Sequence, residues 1–115
     1  MKKLYVCGSF KFLHEIEEVE CKLKEKNIRY ETSKKMSTHG ILGCLKKIDD
    51  ADIIYVVNPQ GYVGKSVCVD LGYAFAKNKS VYLMNPVDDP PITNLTNGVL
   101  SPKALIELLK ESSPR

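Results

Sequence analysis

Paired cysteines are missing from this sequence. Cys7, Cys21, Cys44 and Cys68 never fall in a C-x-x-C spacing, and His14 and His39 have no metal-ligand spacing with a cysteine or with each other. Zinc-ribbon and dithiol frameworks are thereby excluded. Two of the cysteines lie in apolar runs, where a free thiol behaves as a small buried hydrophobe. Structural thiols are expected, with no metal and no cofactor. Long apolar runs are missing too: nothing reaches the ~18 residues of a membrane span, and no signal peptide is visible. The expectation is a cytoplasmic chain without a membrane partner. Charge of one sign is scarce, at a formal +3 over 115 residues, with Lys and Glu interspersed along Glu15–Lys26. A nucleic-acid binder concentrates its basic residues on one face, so a nucleic-acid polymer is not an expected partner. Small anions remain admissible. No internal repeat or linker interrupts the chain.

What remains suits one domain over residues 1–115, since domains of this length hold a single core and leave little room for a deep private pocket. Homo-oligomerisation is expected on that ground. Leu4–Cys7 is a short apolar run stopped by Gly8, a buried strand and a turn. Leu13, Ile16, Val19 and Leu23 recur at helical spacing among charges. Ile28–Thr32 reads as a weaker strand and Ser33–His39 as a mobile loop. Ile41, Leu45 and Ile48 mark a second helix ending near Asp49–Asp50. Ile53–Val57 is an uninterrupted β-branched and aromatic run, as a central parallel strand requires. A Pro/Gly loop, Asn58–Gly64, leads to a helix reaching about Lys77, with Ser66 as its expected N-cap. Val81–Met84 is a further strand, Asn85–Pro91 a turn-rich loop, and Pro102–Lys110 a closing helix. Strands alternating with helices predict an α/β three-layer sandwich with a parallel sheet of four to five strands. Ligands in such folds bind beyond the carboxyl ends of the strands, where the strand order switches.

The segment Asn58-Pro59-Gln60-Gly61-Tyr62-Val63-Gly64-Lys65-Ser66 leaves the strongest strand and opens a helix. Glycines let the backbone approach a ligand, and free amides at a helix start attract phosphate or carboxylate. An ordinary βα connection would also use Pro and Gly, so the ligand role rests on its place at the crevice. Gly64-Lys65-Ser66 imitates the end of a P-loop, but the glycine that motif needs first falls at Pro59, which lacks the required amide. Asp70 lies one turn into the helix, at the edge of a stripe formed by Val67, Leu71, Ala74 and Phe75, and can point along the crevice. Asp49, Asp50 and Asp52 read as turn residues. Tyr5 in the first strand can be core or reach the crevice, and Ser9 can donate to a phosphate or a sugar hydroxyl.

These residues give the chain a resemblance to the nucleoside 2-deoxyribosyltransferase superfamily, including its nucleotide N-hydrolase branch. The matching pieces span most of the sequence: Leu4-Tyr5-Val6-Cys7-Gly8-Ser9, Ile48-Asp49-Asp50-Ala51-Asp52-Ile53-Ile54, Gly64 with Asp70-Leu71-Gly72-Tyr73-Ala74 and Lys79, and Pro91-Ile92-Thr93-Asn94-Leu95 with Gly98-Val99. The loop Val57–Ser66 looks like a branch that carries Asn-Pro-x-Gly-Tyr-x-Gly-x-Ser. The resemblance implies a Rossmann- or flavodoxin-like fold, assembly as a homodimer or larger, and chemistry at the N-glycosidic bond of a nucleoside or nucleotide. A helix carboxylate attacks C1′ and a second base or water resolves the glycosyl-enzyme. Asp70 stands where the family has its nucleophilic Glu, Cys44 where transferases have an acid, and Gln60 near their base-recognising Asp. Catalytic roles are thus implied for Asp70 and Tyr5. Sugar, phosphate or base contacts are implied for Gly8, Ser9, Asn58, Gln60, Gly61, Tyr62, Gly64, Lys65 and Ser66, and Asn94 is expected to reach a neighbouring subunit's site. The other reading the sequence admits is a non-catalytic nucleotide-binding or sensory module on the same fold.

Overall fold

A computed structural model describes residues 2–32 and 40–111. The expected loop Ser33–His39 lies outside the described residues. β1 (Leu4–Gly8), β2 (Tyr30–Thr32), β3 (Ile53–Val57), β4 (Ser80–Leu83) and β5 (Gly98–Val99) form one sheet of order β2-β1-β3-β4-β5. Every pairing is parallel, with Leu4 opposite Ile53 and Gly8 opposite Val57 at the centre. Two parallel neighbours bury β3 on both faces, which is why its five residues are all apolar or aromatic.

Side chains of successive strand residues point to opposite faces, so each face takes alternate positions. Leu4, Val6, Ile53, Tyr55 and Val57 meet α1 (Leu13–Glu25) and α5 (Pro102–Glu111) through Ile16, Val19, Leu23, Leu105 and Leu109. Tyr5, Cys7, Ile54 and Val56 meet α2 (Gly40–Asp50) and α3 (Lys65–Ala76) through Cys44, Ile48, Val67, Leu71 and Ala74. This is the three-layer α/β sandwich, with α1 and α3 ending on Asn27 (φ 57°) and Asn78 (φ 60°), left-handed positions that asparagine tolerates. Among the described residues no helix is long and apolar enough to cross a membrane.

Two details correct the sequence reading and two add to it. The N-cap of α3 is Gly64 and the helix begins at Lys65, so Ser66 sits inside the first turn and caps nothing. The buried stripe of α3 is Val67, Asp70, Leu71 and Ala74, turned toward Asp70 and away from Phe75, which is 54% exposed. A short helix, α4 (Pro90–Thr93), interrupts the loop after β4. Finally, β5 is a strand of two residues, held by Asn97: its N–H donates to Val81 O at 2.7 Å and its Oδ1 accepts from Val81 N at 2.8 Å.

Candidate functional site

The strand order reverses between β1 and β3, and that switch point opens the crevice between their following loops. Gly8 makes the approach possible: a Cβ there would stand 2.7 Å from Val57 O. Ser9 then caps a single 3-10 turn, Phe10–Phe12, its Oγ accepting from Lys11 N at 3.2 Å. On the other side, Asn58 is fully buried and spent on Asn85. Its Nδ2 donates to Asn85 O at 2.7 Å and its Oδ1 accepts from Asn85 N at 2.8 Å, so the loops after β3 and β4 are tied together. The chain turns through Pro59–Gly61, with Gln60 at φ 60° and Gly61 at φ 77°. A Cβ on Gly61 would lie 2.4 Å from Pro86 O. This packing delivers Gly64 and the first turn of α3 to the rim of the crevice. The opening amides of that helix have no intrahelical acceptor.

Between the loops lies a cavity of about 510 Å³, a size typical of small-molecule sites. Gly8, Ser9, Phe10 and Lys11 form one wall, and Tyr62, Gly64, Lys65, Ser66 and Val67 form the other. Cys44 and Asp70 complete the lining. The two loops touch: Phe12 packs edge-on against Tyr62 with ring centroids 5.7 Å apart, and Lys11 Nζ stands 4.7 Å from the Tyr62 ring centre. The mouth therefore combines aromatic surface with ammonium charge.

The inner end is chemically different. Asp70 is only 4% exposed, and its Oδ1 is sealed with no hydrogen-bond partner among the described residues. Burial disfavours the charged form and pushes its pKa from 3.8 up to about 6. Tyr5 is wholly buried, and its Oη has no hydrogen-bond partner among the described residues; burial raises its pKa far above the usual phenol value, and Cys7, Cys44 and Asp70 add to the shift. Cys7 is raised by burial first, then by Asp70 and Cys44. Cys44 and Asp70 thus line the inner end of the cavity, with the Tyr5 phenol and Cys7 thiol in the apolar core behind them. Among the described residues no set of three or more His, Cys, Asp or Glu is arranged to hold a metal ion.

The structure gathers Gly8, Ser9, Tyr62, Gly64, Lys65, Ser66 and Asp70 on one cavity, with Tyr5 interacting with Asp70 behind it. Asn58, Gln60 and Gly61 shape the loop without lining that cavity. Asn94 borders a separate hollow of about 260 Å³ with Phe75, Lys79 and Asn97. Lys11 was not singled out by sequence reasoning. Its position three residues beyond Gly8 was the available signal, but only the 3-10 turn aims it across the mouth.

No protein-family model matches the chain. No curated protein matches it either. Solved structures do. A conserved protein from Enterococcus faecalis V583 superposes with a TM-score of 0.74 at 16% identity, covering 98% of this chain and 99% of that one. The Clostridium botulinum CMP N-glycosidase BcmB superposes at 0.57 with 17% identity, covering 97% of this chain and 100% of the other. The Vibrio vulnificus NanR protein, solved in complex with ManNAc-6P, gives 0.65 at 13% identity, over 96% of this chain and 48% of its own length. At these identities the likeness establishes the fold that this chain shares with them.

Proposed function

We propose that this protein acts on the N-glycosidic bond of a nucleoside or nucleotide, by hydrolysis or by transfer to a second base, with Asp70 at the reacting centre. The observation that carries the reading is a nearly buried carboxyl at the inner end of the switch-point cavity, with no ion-pair partner among the described residues. A carboxyl free of structural duty, beside a cavity of nucleotide size, is what chemistry at an oxocarbenium-like C1′ uses. Lys65, Ser66 and the first amides of α3 would take a phosphate or sugar hydroxyl, with Ser9 and Gly8 across from them. Tyr62 offers a face for a base, and the buried Tyr5 phenol stands behind Asp70 without a hydrogen bond to it among the described residues. The likeness to a protein named as a CMP N-glycosidase supports the same chemistry.

A second copy of the chain belongs to this reading. The outer side of α3 is apolar, with Val69 50% and Phe75 54% exposed, and α2 adds Leu42 at 72%. An α-helix apolar on all sides is one that is covered in its working state. α3 runs about 18 Å at ~1.5 Å per residue. Antiparallel packing of two such helices would carry Asn94, which shares a hollow with Phe75 near the helix's far end, toward the other copy's cavity mouth.

The test is release of free base from a panel of nucleosides and nucleoside monophosphates, followed chromatographically. Wild type releases base and Asp70→Asn loses at least about a hundredfold in rate, the usual size of a proton-transfer contribution. Absence of release across the panel by wild type defeats the proposal. A second reading, a non-catalytic nucleotide- or sugar-phosphate-sensing module, draws on the NanR complex and on Cys44 at the cavity. Calorimetric binding of a monophosphate without turnover would select it.

A further inference from the structure

We propose that Asp70 works as a carboxylic acid: its protonated form gives its proton to the departing base, instead of attacking C1′ as a carboxylate. The inference rests on the N-glycosidic reading of the cavity and assigns the proton that such a reaction needs.

The geometry of the carboxyl carries it. An ionised carboxylate is acceptor-only and wants donors on both oxygens, yet Asp70 Oδ1 is sealed and meets none among the described residues. A neutral acid fits that place better, because its carbonyl oxygen loses far less on burial than a charged one. Asp70 also lines the cavity, and Oδ2, unlike Oδ1, is not a sealed, unpartnered atom. Among the described residues, the elements packed around the group bring it no positive charge. β1 contributes Tyr5 and Cys7, α2 contributes Cys44, and the same helix contributes Val67, Leu71 and Ala74. None is a cation. Lys11 and Lys65 line the cavity but neither pairs with Asp70, and Lys11 sits over the Tyr62 ring.

Two buried neighbours, Tyr5 and Cys7, are poor proton donors. Burial pushes the Tyr5 phenol and the Cys7 thiol up, so both hold their protons through neutrality. Asp70, raised to about 6, is the group poised nearest working pH, which is where an acid catalyst is most effective. The step balances. The Asp70 O–H proton passes to a ring nitrogen of the base, the C1′–N bond breaks with its electron pair going to the base, and an oxocarbenium ion remains beside a carboxylate that now stabilises it. Water adds to C1′, and its proton returns to Asp70. In transfer, the N–H of the incoming base supplies that proton instead.

N7-methylated deoxyguanosine 5′-monophosphate separates acid from nucleophile, because its base departs neutral without being protonated. For wild type and Asp70→Asn, kcat/KM is measured on this substrate and on the common deoxynucleoside monophosphates from about pH 4.5 to about 8.5, bracketing the working range of the acid. Both substrates carry the same phosphate, so the ratio of the profiles isolates the departure of the base over the range in which the methylated base keeps its N1 proton. The inference expects the ordinary substrates to lose rate, relative to the methylated one, by about tenfold per pH unit above ~6. It expects Asp70→Asn to cost at least about a hundredfold on ordinary substrates and under about tenfold on the methylated one. A relative rate that rises through that pH range, or equal damage on both substrates, overturns the inference and leaves the N-glycosidic reading standing. If wild type releases no base from any of them, that reading falls and takes the acid role with it. Carboxyl titration by NMR with labelled aspartate supplies a readout free of activity: a midpoint near 6 supports the acid form, and one near 4 overturns it.

Discussion

Asp70 illustrates how a single side chain ties stability to chemistry. The folded chain holds the Asp70 proton more tightly than the unfolded chain does, because burial raises its pKa from 3.8 to about 6. This group is therefore least costly to stability below pH ~4, and the cost grows as pH rises toward ~6, levelling off above it. Its full size is about 3 kcal/mol, at roughly 1.4 kcal/mol for each tenfold difference in proton affinity between the folded and unfolded chains. Asp70→Asn has no charge to bury and is expected to be more stable than wild type above pH ~7, by up to about 3 kcal/mol, with the difference shrinking toward pH ~4. Urea unfolding midpoints at the two ends of that range check this. A variant less stable than wild type at the alkaline end would mean that the carboxylate has a donor in solution. The sequence placed Asp70 at the edge of the α3 stripe, which was close. Its burial was not legible, because it depends on how far α3 rolls on the sheet, and Phe75 was exposed by the same rotation.

At the scale of elements, the site is held by a joint between two loops. Asn58 looked like a ligand contact because it opens the loop after β3, but its partner Asn85 lies 27 residues on. No local pattern reveals that pairing. Gly61 completes the joint with positive φ and its back against Pro86 O. Gly61→Ala is expected to cost about 1–3 kcal/mol, the usual cost of a strained backbone position, and to lower base release by loosening Tyr62 and the α3 entry. Denaturant unfolding measures the first effect. A Gly61→Ala protein of wild-type stability would contradict the packing described. By contrast, β1 and β3 were legible as apolar runs, and the Gly8 turn marked the switch point. β5 was not, since a strand of two residues has no periodicity and relies on the Asn97 side chain.

On the scale of the whole molecule, an alternation of strands and helices sufficed to foresee a parallel three-layer sandwich, and the order β2-β1-β3-β4-β5 puts its crevice where the glycine-rich loop emerges. The proposed second copy is argued from the apolar surface the fold leaves uncovered. The outward side of α3 shows Val69, and a Cβ on Gly72 would meet no atom within 4 Å. Glycine is poor in a helix unless something needs the space. If the proposed second copy packs on α3, Val69→Glu is expected to shift the protein to monomer in sedimentation equilibrium and to weaken base release by withdrawing that copy's Asn94. A wild-type chain that sediments as a monomer at high concentration would remove the second copy from the account.

The most direct measurement is a structure with a deoxynucleoside monophosphate bound at the switch-point cavity. The phosphate is expected at the start of α3 near Lys65 and Ser66, the base against Tyr62, and the C1′–N bond within ~3.5 Å of the Asp70 carboxyl, a near-attack separation. A nucleotide seated elsewhere, or one whose sugar lies beyond the reach of Asp70, would contradict the proposal.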